Sequence, residues 1–517
     1  MVHRLLEDAA ALSPGAVALI EPRRTITYAE LNRLANRYAH LLIATGVRRG
    51  DRVVMALENS TDLVALYFGT LKAGAIAVPL PAGPRSDRLV RAVVDSSPAV
   101  AVVDPATAHE ISSTHPLASV PSLFVSSNVV LTPGRGVSYA RLQDAVQSVS
   151  DGPVDVRSID VDLAAIIYTS GSTGEPRGVM LSHRNFVANT QSIVQYLRLT
   201  SHDRVMCVLP FYYVYGLSLL HTHIAVGGSI VIDNRFAFPN VVLNAMQQHR
   251  VTGFAGVPST FALLLHRSGL QDVTLPHLRY VTQAGGGMAP ARVLEWLERG
   301  PRVPFYVMYG ATEASARLTY LDPARLRDKL GSIGRPIPNV DIVVVTEQDT
   351  IADTGEIGEL VARGTNISRG YWNDEEETRQ KFGPRGYYTG DLGYADEEGF
   401  LFLVGRKHDM LKVGAHRVGA KEIEDVLQGF PGLHEVAVVP APHAILGEVP
   451  VAFVSMRDGE AADAEGLGAF CRARLPPHKV PTGFFLRTEL PKLGTVGKID
   501  KVRLREEARA SVADATA

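Results

Sequence analysis

Tyr168–Gly178 reads YTSGSTGEPRG, and its flanks decide how it folds. Ala164–Ile167 before it is apolar and ends in β-branched residues; Val179–Leu181 after it is apolar again and leads into SHRNFVANTQSIVQYL, which has helical spacing. The pattern predicts a glycine-rich loop between a strand and a strand-to-helix segment. Gly171, Gly174 and Gly178 open backbone conformations closed to other residues. They also let main-chain N–H groups face an anion with no Cβ in the way. Thr169, Ser170, Ser172 and Thr173 add hydroxyl donors and Arg177 adds a cation. This donor set suits a polyphosphate. It is not a Walker loop, because no Gly-Lys-Ser/Thr follows at the required spacing. A solvated Ser/Gly linker is the bland alternative, and linkers rarely sit directly behind a buried-strand pattern.

At 517 residues the chain has room for two or more domains. Hydrophobic content of 46% and charged content of 21% match ordinary globular proteins. A net charge of −2 provides no global field for nucleic acid or an anionic membrane. Cys207 and Cys471 make no disulfide framework and read as small core residues. The start, MVHRLLEDAA, lacks the apolar stretch of a signal peptide, and no apolar run reaches membrane-spanning length. The expected location is the cytoplasm.

Strand and helix patterns alternate along the first half. Ile26–Leu31 begins with strand-like alternation, and Asn32–Leu42 carries a helical apolar face. Asp51–Leu57 reads as a strand and Asp62–Leu71 as a helix, with Gly74 capping it before a buried strand to Leu80. Such alternation predicts α/β architecture with mostly parallel sheets covered by helices. Between Pro81 and Asp160 the pattern weakens to one helix near Asp87–Asp95 and one strand at Ala99–Val103. Further on, Val205–Leu209 is a buried strand and Phe211–Gly216 an aromatic turn into a helix. His221 and His223 have no third ligand nearby and read as core rather than metal ligands. Leu278–Thr282 is a strand running into Gly285, Gly286 and Gly287, which exposes backbone to a flat ligand.

Phe305–Met308 is a strand followed by YGATEASAR, Tyr309–Arg317. Glu313 there is a hard oxygen ligand of the kind Mg²⁺ prefers, at the strand end where open parallel sheets bind ligands. Asp341–Val345 and Gly358–Arg363 read as strands of a β-rich region. YYTGD, Tyr387–Asp391, offers an acceptor suited to ribose hydroxyls. After the strand Phe400–Val404 the chain turns polar at GRKHDMLKVGAHRV, which places a domain boundary at Arg406–Asp409. A short helix, strands near Val436–Pro440 and Val449–Val454, and a helix at Asp463–Arg474 make the remainder a small α+β unit. PKLGTVGKIDK, Pro491–Lys501, is a loop with Lys498 at its tip, and the Ala/Ser-rich tail after Glu507 reads as frayed.

YTSGSTGEPRG, YGATEASAR, YYTGD, GRKHDMLKVGAHRV and PKLGTVGKIDK stand in the order found in the AMP-forming acyl ligases. The chain resembles that superfamily of acyl-CoA synthetases, adenylation domains and luciferases over nearly its whole length. The resemblance implies a large domain, residues 1–405, of stacked sheets plus a β-rich subdomain, and a small mobile lid, residues 406–517, hinged near His408. It implies activation of a small carboxylic acid by ATP and Mg²⁺ to an acyl-AMP. The acyl group then passes to the pantetheine thiol of CoA or of an acyl or peptidyl carrier protein. By the same resemblance Thr169–Gly174 and Arg177 hold phosphates, and Gly286, Gly287 and Tyr309 hold adenine. Thr312 meets the α-phosphate, Glu313 the metal, Asp391 the ribose, and Arg406 the ribose or a phosphate. Lys498 serves adenylation and Lys412 thioester formation. Tyr212, Tyr213, Gly285, Met288 and Arg317 border the acid. The family usually has Lys at the place of Arg177, often His at Tyr213, and Asp or Lys at His408. Val214 stands where α-amino-acid-activating members carry an Asp. A buried ammonium lacking that carboxylate is costly, which leaves an acyl or aryl acid, or a β-amino acid with its amine near Asp233. An oxygen-using, luciferase-like enzyme is the reading from another class. Arg317 is expected either to meet a second acidic or polar group on the acid or to form a structural salt bridge.

Overall fold

The computed structural model describes residues 1–83, 87–110, 115–126, 140–170, 176–414, 416–443, 445–457, 459–493 and 498–514. Within them, β-branched runs form two large sheets. The first has seven strands, ordered Ala140–Arg141, Ser122–Val125, Val100–Val103, Arg52–Ala56, Ile76–Leu80, Leu163–Ser170 and Pro176–Ser182. All its pairings are parallel except the last. The second has 14 strands. Its parallel part runs Phe305–Tyr309, Tyr280–Gln283, Gly253–Gly256, Arg204–Cys207, Ser229–Ile232 and Val17–Glu21.

Side-chain parity fixes how these sheets stack, because successive residues of a strand face opposite sides. Val53 and Met55 enter one apolar cluster while Val54 and Ala56 enter another. In the second sheet Val205 and Cys207 share the cluster of Val53, whereas Met206 points the other way. The two sheets thus face a common helical layer and each carries further helices on its outer face. Thr61–Lys72 lies in that shared layer and buries every residue but Asp62. Gly69 lets it approach Tyr28–Ala44 closely: a Cβ there would sit 2.5 Å from the Tyr38 Cβ. The buried Lys72 ammonium is satisfied by Glu7 Oε1 at 2.7 Å and Asn32 Oδ1 at 2.9 Å.

The β-rich region is not a separate sheet. Val340–Val345, Gly358–Gly364, Gly386–Ala395 and Leu401–Arg406 continue the 14-stranded sheet antiparallel, through Ser332–Pro336 and Thr319–Leu321. Past the turn Lys407–Asp409, Met410–Val413 belongs to a different, five-stranded sheet with His416–Gly419, Leu433–His443, Gly447–Met456 and Gly483–Arg487. Other differences from the sequence reading have local causes. The helix expected at Asn32 begins at Tyr28, because Thr27 and Glu30 form a capping box. Pro81–Asp160 holds more structure than its weak pattern shows, including the edge strands Ser122–Val125 and Ala140–Arg141. The tail after Glu507 continues the helix Lys501–Asp514. No helix among the described residues is long and apolar enough to cross a membrane. Both cysteines are buried and unpaired.

Four histidines lie in or beside the shared layer. His221 Nε2 meets the Tyr67 hydroxyl at 2.9 Å, and His223 sits between Leu219 O at 2.9 Å and the Tyr280 hydroxyl at 3.1 Å. They are core residues, not a metal pair. Burial lowers His3 and His223 to about 4, and His183 and His221 to about 3. In the unfolded chain each titrates near about 6.5. Below that value the unfolded state binds protons that the fold refuses, so stability falls as pH drops from about 6.5 toward about 4. Unfolding midpoints should therefore decline steadily from about pH 7 to about pH 5, and His221→Gln should lessen the slope. A flat profile over that interval contradicts the neutral-core assignment.

Candidate active site

The strand Phe305–Tyr309 delivers the site's central turn, Thr312–Ala314. Ser315 and Ala316 follow it with φ of 57° and 124°, two successive non-glycine residues at positive φ. Each such residue costs on the order of 1–3 kcal/mol and persists only where the surroundings over-determine it. Here two buried amides do so. Asn366 Nδ2 donates to Ala314 O at 3.1 Å and Arg317 O at 2.9 Å. Asn189 Nδ2 reaches the same two carbonyls at 3.4 and 3.2 Å. Gly310 makes room for the return, since a Cβ there would stand 1.9 Å from Ala316 O.

Glu313 is held at both ends. Its backbone carbonyl accepts from Ser368 N at 2.7 Å, and its carboxylate Oε1 accepts from the Tyr371 hydroxyl at 2.7 Å. Burial first, then the charge of Glu313, raises the Tyr371 hydroxyl far above its ordinary range, so it stays a donor. The segment carrying Tyr371 also joins the strand that leaves the phosphate loop. Met180 N donates to Gly370 O at 3.0 Å and Trp372 N to Gly178 O at 2.7 Å. Ser368, Tyr371, Asn189 and Asn366 escaped the sequence reading. The pattern Ser-Arg-Gly-Tyr-Trp-Asn was the available signal, a glycine beside large aromatics.

The loop itself joins two antiparallel strands, with Thr169 opposite Arg177 and Ser170 opposite Pro176. Gly171, Ser172, Thr173 and Gly174 lie outside the described residues. Arg177 is committed to acidic partners: Nη1 lies 2.8 Å from Glu377 Oε1 and Nε 3.7 Å from Asp374 Oδ2. Those carboxylates belong to the start of the helix Glu375–Lys381, whose N-cap is Asp374.

A cleft of about 2160 Å³ opens between the 14-stranded sheet and the five-stranded unit. One wall carries Gly285, Gly286, Gly287, Met288, Tyr309, Asp391 and Arg406; the other carries Lys421, Ile499, Asp500 and Lys501. Asp391 is buried, with Oδ2 accepting from the Tyr309 hydroxyl at 2.6 Å and Oδ1 lying 3.0 Å from Arg406 Nε. Gly285, at φ 80°, is pressed by Val257, and Gly287 faces Lys421. Lys498 stands in a two-stranded hairpin opposite Leu493, directly before the cleft residues Ile499–Lys501; its side chain, like that of His408, lies outside the description. Glu313, Thr312, Tyr212, Tyr213 and Arg317 do not line this cleft. Lys412 is exposed on Met410–Val413, away from it. Tyr212 and Tyr213 pack together, ring centroids 4.4 Å apart, at the start of the helix Val214–Ala225. Asp233 is taken by Arg235 at 2.7 Å, so the place suggested for a β-amine is already filled by a cation.

No cluster of three metal-ligating side chains occurs among the described residues. One carboxylate, Glu313, at the site is nonetheless the donor set Mg²⁺ uses when phosphates supply its other ligands. The site therefore fits a nucleotide-borne Mg²⁺ rather than a caged ion.

Comparison with known proteins identifies the family. Residues 6–372 match the AMP-binding enzyme family and residues 422–498 the AMP-binding enzyme C-terminal domain. A long-chain-fatty-acid–CoA ligase of Bacillus subtilis (strain 168) is 30% identical over 98% of this chain and 94% of its own. A feruloyl-CoA synthase of an Amycolatopsis species is 32% identical over 96% of each. ATP-bound MatB from Rhodopseudomonas palustris superposes with a TM-score of 0.88 at 30% identity, covering 98% of this chain and 99% of its own. Its apo form gives 0.78 at 30% identity, covering 98% of each chain. The o-succinylbenzoate CoA synthetase of Bacillus subtilis, in complex with ATP and a magnesium ion, gives 0.84 at 26% identity, covering 98% of each. The chain belongs to the AMP-binding enzyme family, as an AMP-forming acid–thiol ligase of the acyl-CoA synthetase type that uses ATP and Mg²⁺.

Proposed function

We propose that residues 1–405 bind ATP and a small carboxylic acid, and that residues 406–517 act as a lid serving two half-reactions in turn. The observation that carries this reading is the shared cleft. Ile499–Lys501, immediately after Lys498, face Gly286, Tyr309 and Asp391 across it.

In the first half-reaction an oxygen of the acid's carboxylate attacks the α-phosphorus of ATP. The new O–P bond gives acyl-AMP, and the bond to the β-phosphate breaks to release pyrophosphate. Two anions must be brought together, so alignment and charge neutralisation dominate; alignment alone is worth roughly 7–11 kcal/mol. Tyr309 and the backbone of Gly286 and Gly287 take adenine, and Asp391 takes the ribose hydroxyls, with Arg406 beside it. Thr169–Gly174 receive the terminal phosphates. Arg177, bound to Glu377 and Asp374, anchors the loop's outgoing strand. Thr312 meets the α-phosphate and Lys498 bridges it to the carboxylate. Glu313 would hold Mg²⁺, which supplies charge neutralisation on the phosphates. Tyr371 orients Glu313 by holding Oε1.

In the second half-reaction a pantetheine sulfur attacks the acyl carbon. A thioester forms, AMP leaves, and the thiol proton passes to solvent. The side chains near the turn Lys407–Asp409 support a hinge at His408. Arg406 and Lys407 are tied to Asp391 and Glu359 of the large sheet, while Asp409 is tied to Arg505 of the last helix. Rotation about this point withdraws Lys498 and brings Lys412 with Gly414–Arg417 to the acyl-AMP. The engaged Asp233 weighs against a β-amino acid, and an acyl or aryl acid passed to CoA is the preferred reading. Carrier-protein loading is the alternative acceptor.

Lys498→Ala should lower acid-dependent ATP–pyrophosphate exchange by about 10²–10³-fold while ATP still binds in calorimetry. Exchange near the wild-type rate means another residue bridges the reactants. Lys412→Ala should leave exchange intact and slow thioester formation in single-turnover assays; equal loss in both steps contradicts two separate poses. Tyr371→Phe should raise the Mg²⁺ concentration for half-maximal exchange by about tenfold. A lowered melting temperature with an unchanged Mg²⁺ requirement reduces Tyr371 to a packing role.

A further inference from the structure

Arg317 lies four residues beyond Glu313 and retains 2% of its surface. It forms no structural salt bridge among the described residues. Its guanidinium carbon stands 4.2 Å from the centre of the Tyr215 ring. Nε donates to Met308 Sδ at 3.2 Å and Nη1 to Ala316 O at 3.1 Å. The Tyr196 hydroxyl donates to the same sulfur at 3.1 Å. A guanidinium offers five N–H donors; these contacts use two of them, one on a weak thioether acceptor, and the Tyr196 hydroxyl is a further hydrogen-bond partner. No carboxylate among the described residues forms an ion pair with it.

The surroundings place this cation behind the wall of the cleft. Met308 and Gly285 line the cleft, and a Cβ on Gly285 would sit 3.9 Å from the Tyr215 ring. Tyr215 is fixed in turn by its hydroxyl, 3.0 Å from both Thr282 O and Thr282 Oγ1. The Tyr215 ring, the Tyr196 hydroxyl and a thioether thus surround a charge that no carboxylate among the described residues neutralises. A cation–π contact recovers part of the desolvation cost, but a buried charge is ordinarily paired. A filler role is met more cheaply by Leu or Met, which bring no charge. The planar fork of Arg is the group that takes a carboxylate bidentately.

We infer that Arg317 receives a second anionic group at the far end of the acid, so that the favoured substrates are dicarboxylates or acids of equivalent charge pattern. The inference rests on the acid-activating reading above and deepens it. One carboxylate of the substrate is adenylated beside Thr312 and Glu313, while the other meets the guanidinium between Tyr215 and Met308. Charge then balances inside the pocket only when the correct acid is bound.

The test is acid-dependent ATP–pyrophosphate exchange with succinate, glutarate and adipate, each paired with butyrate, valerate or hexanoate of the same chain length. Wild-type protein should favour at least one dicarboxylate over its partner by about tenfold to a hundredfold in kcat/KM. Arg317→Leu should abolish or invert that preference, and Arg317→Lys should retain a reduced share of it. Wild-type protein that favours the monocarboxylate of every pair overturns the inference without touching the ligase reading, and needs no variant to fold. Arg317→Leu that melts like wild type and keeps the dicarboxylate preference overturns it as well. Exchange with no acid of any class would instead sink the acid-activating reading on which it stands.

Discussion

Two asparagine amides converging on one backbone turn are the constraint on which this site depends. Glu313 must project from the end of a parallel strand, yet the chain must also reverse at once to form Thr319–Leu321 antiparallel to that strand. The reversal forces Ser315 and Ala316 to positive φ. Asn189 comes from the helix after the phosphate loop and Asn366 from the strand-end beyond the β-rich sheet, and both bind the carbonyls of Ala314 and Arg317. The same turn therefore reads the position of the phosphate-loop helix and of the segment carrying Tyr371. A strained turn held by elements from both flanks is rigid where the chemistry needs a fixed charge.

Around that turn most charges already have partners. Asp391 is shared by Tyr309 and Arg406, Arg177 by Glu377 and Asp374, and Glu313 is bound to Tyr371. Charged groups out of water are costly alone, so a site built for a polyanion must keep its cations and carboxylates occupied before the nucleotide arrives. Nucleotide binding then becomes an exchange of partners. Under the proposed assignment, ribose hydroxyls would take the place of the Tyr309 hydroxyl or Arg406 at Asp391. Arg177 is different. Its carboxylates belong to a helix that packs beside the loop, so its charge is spent on holding the loop's outgoing strand. The substitution of Arg for the commoner Lys suits that task, since a forked donor can bind Glu377 and still lean on Asp374. Arg317 stands apart from all of these as the buried cation whose balance is left to the substrate.

The parallel sheets were legible because buried strands and their helices repeat a local pattern, and the predicted segments Asp51–Leu57 and Asp62–Leu71 agree with Arg52–Ala56 and Thr61–Lys72 to within a residue. Reading failed where the deciding contact was distant or unpatterned. Tyr28 starts a helix because Thr27 and Glu30 cap it, a signal that the alternation of ITYAEL concealed. Ser122–Val125 is a strand only because Val100–Val103 lies beside it. Of the residues named for the nucleotide, Gly286, Gly287, Tyr309, Asp391 and Arg406 line one cleft, whereas Thr312, Glu313 and Arg177 do not. Tyr371, Asn189 and Asn366 went unread because they act across 58, 125 and 52 positions respectively on groups that give no local sign of needing them.

The hinge shows the same logic at larger scale. Three ionic anchors flank His408: Arg406 and Lys407 hold the large sheet, and Asp409 holds the helix that follows Lys498. A rotation confined to one or two backbone dihedrals between Lys407 and Asp409 would leave all three pairs intact, which supports the proposed hinge there rather than in the strands on either side. Other contacts must break. Arg292, on the helix Pro290–Arg299, donates to Leu433 O at 2.6 Å and Gln428 Oε1 at 3.2 Å of the lid. These are neutral acceptors, individually modest, and the ion pair beside them, Arg457 to Glu295, is long at 4.0 Å, whereas the pairs at the hinge are closer, at 2.9–3.2 Å. The present arrangement superposes better on ATP-bound MatB, at 0.88, than on its apo form, at 0.78. In the proposed reading this arrangement sets the lid facing the nucleotide cleft, with its pivot at the turn where the ionic pairs need not move.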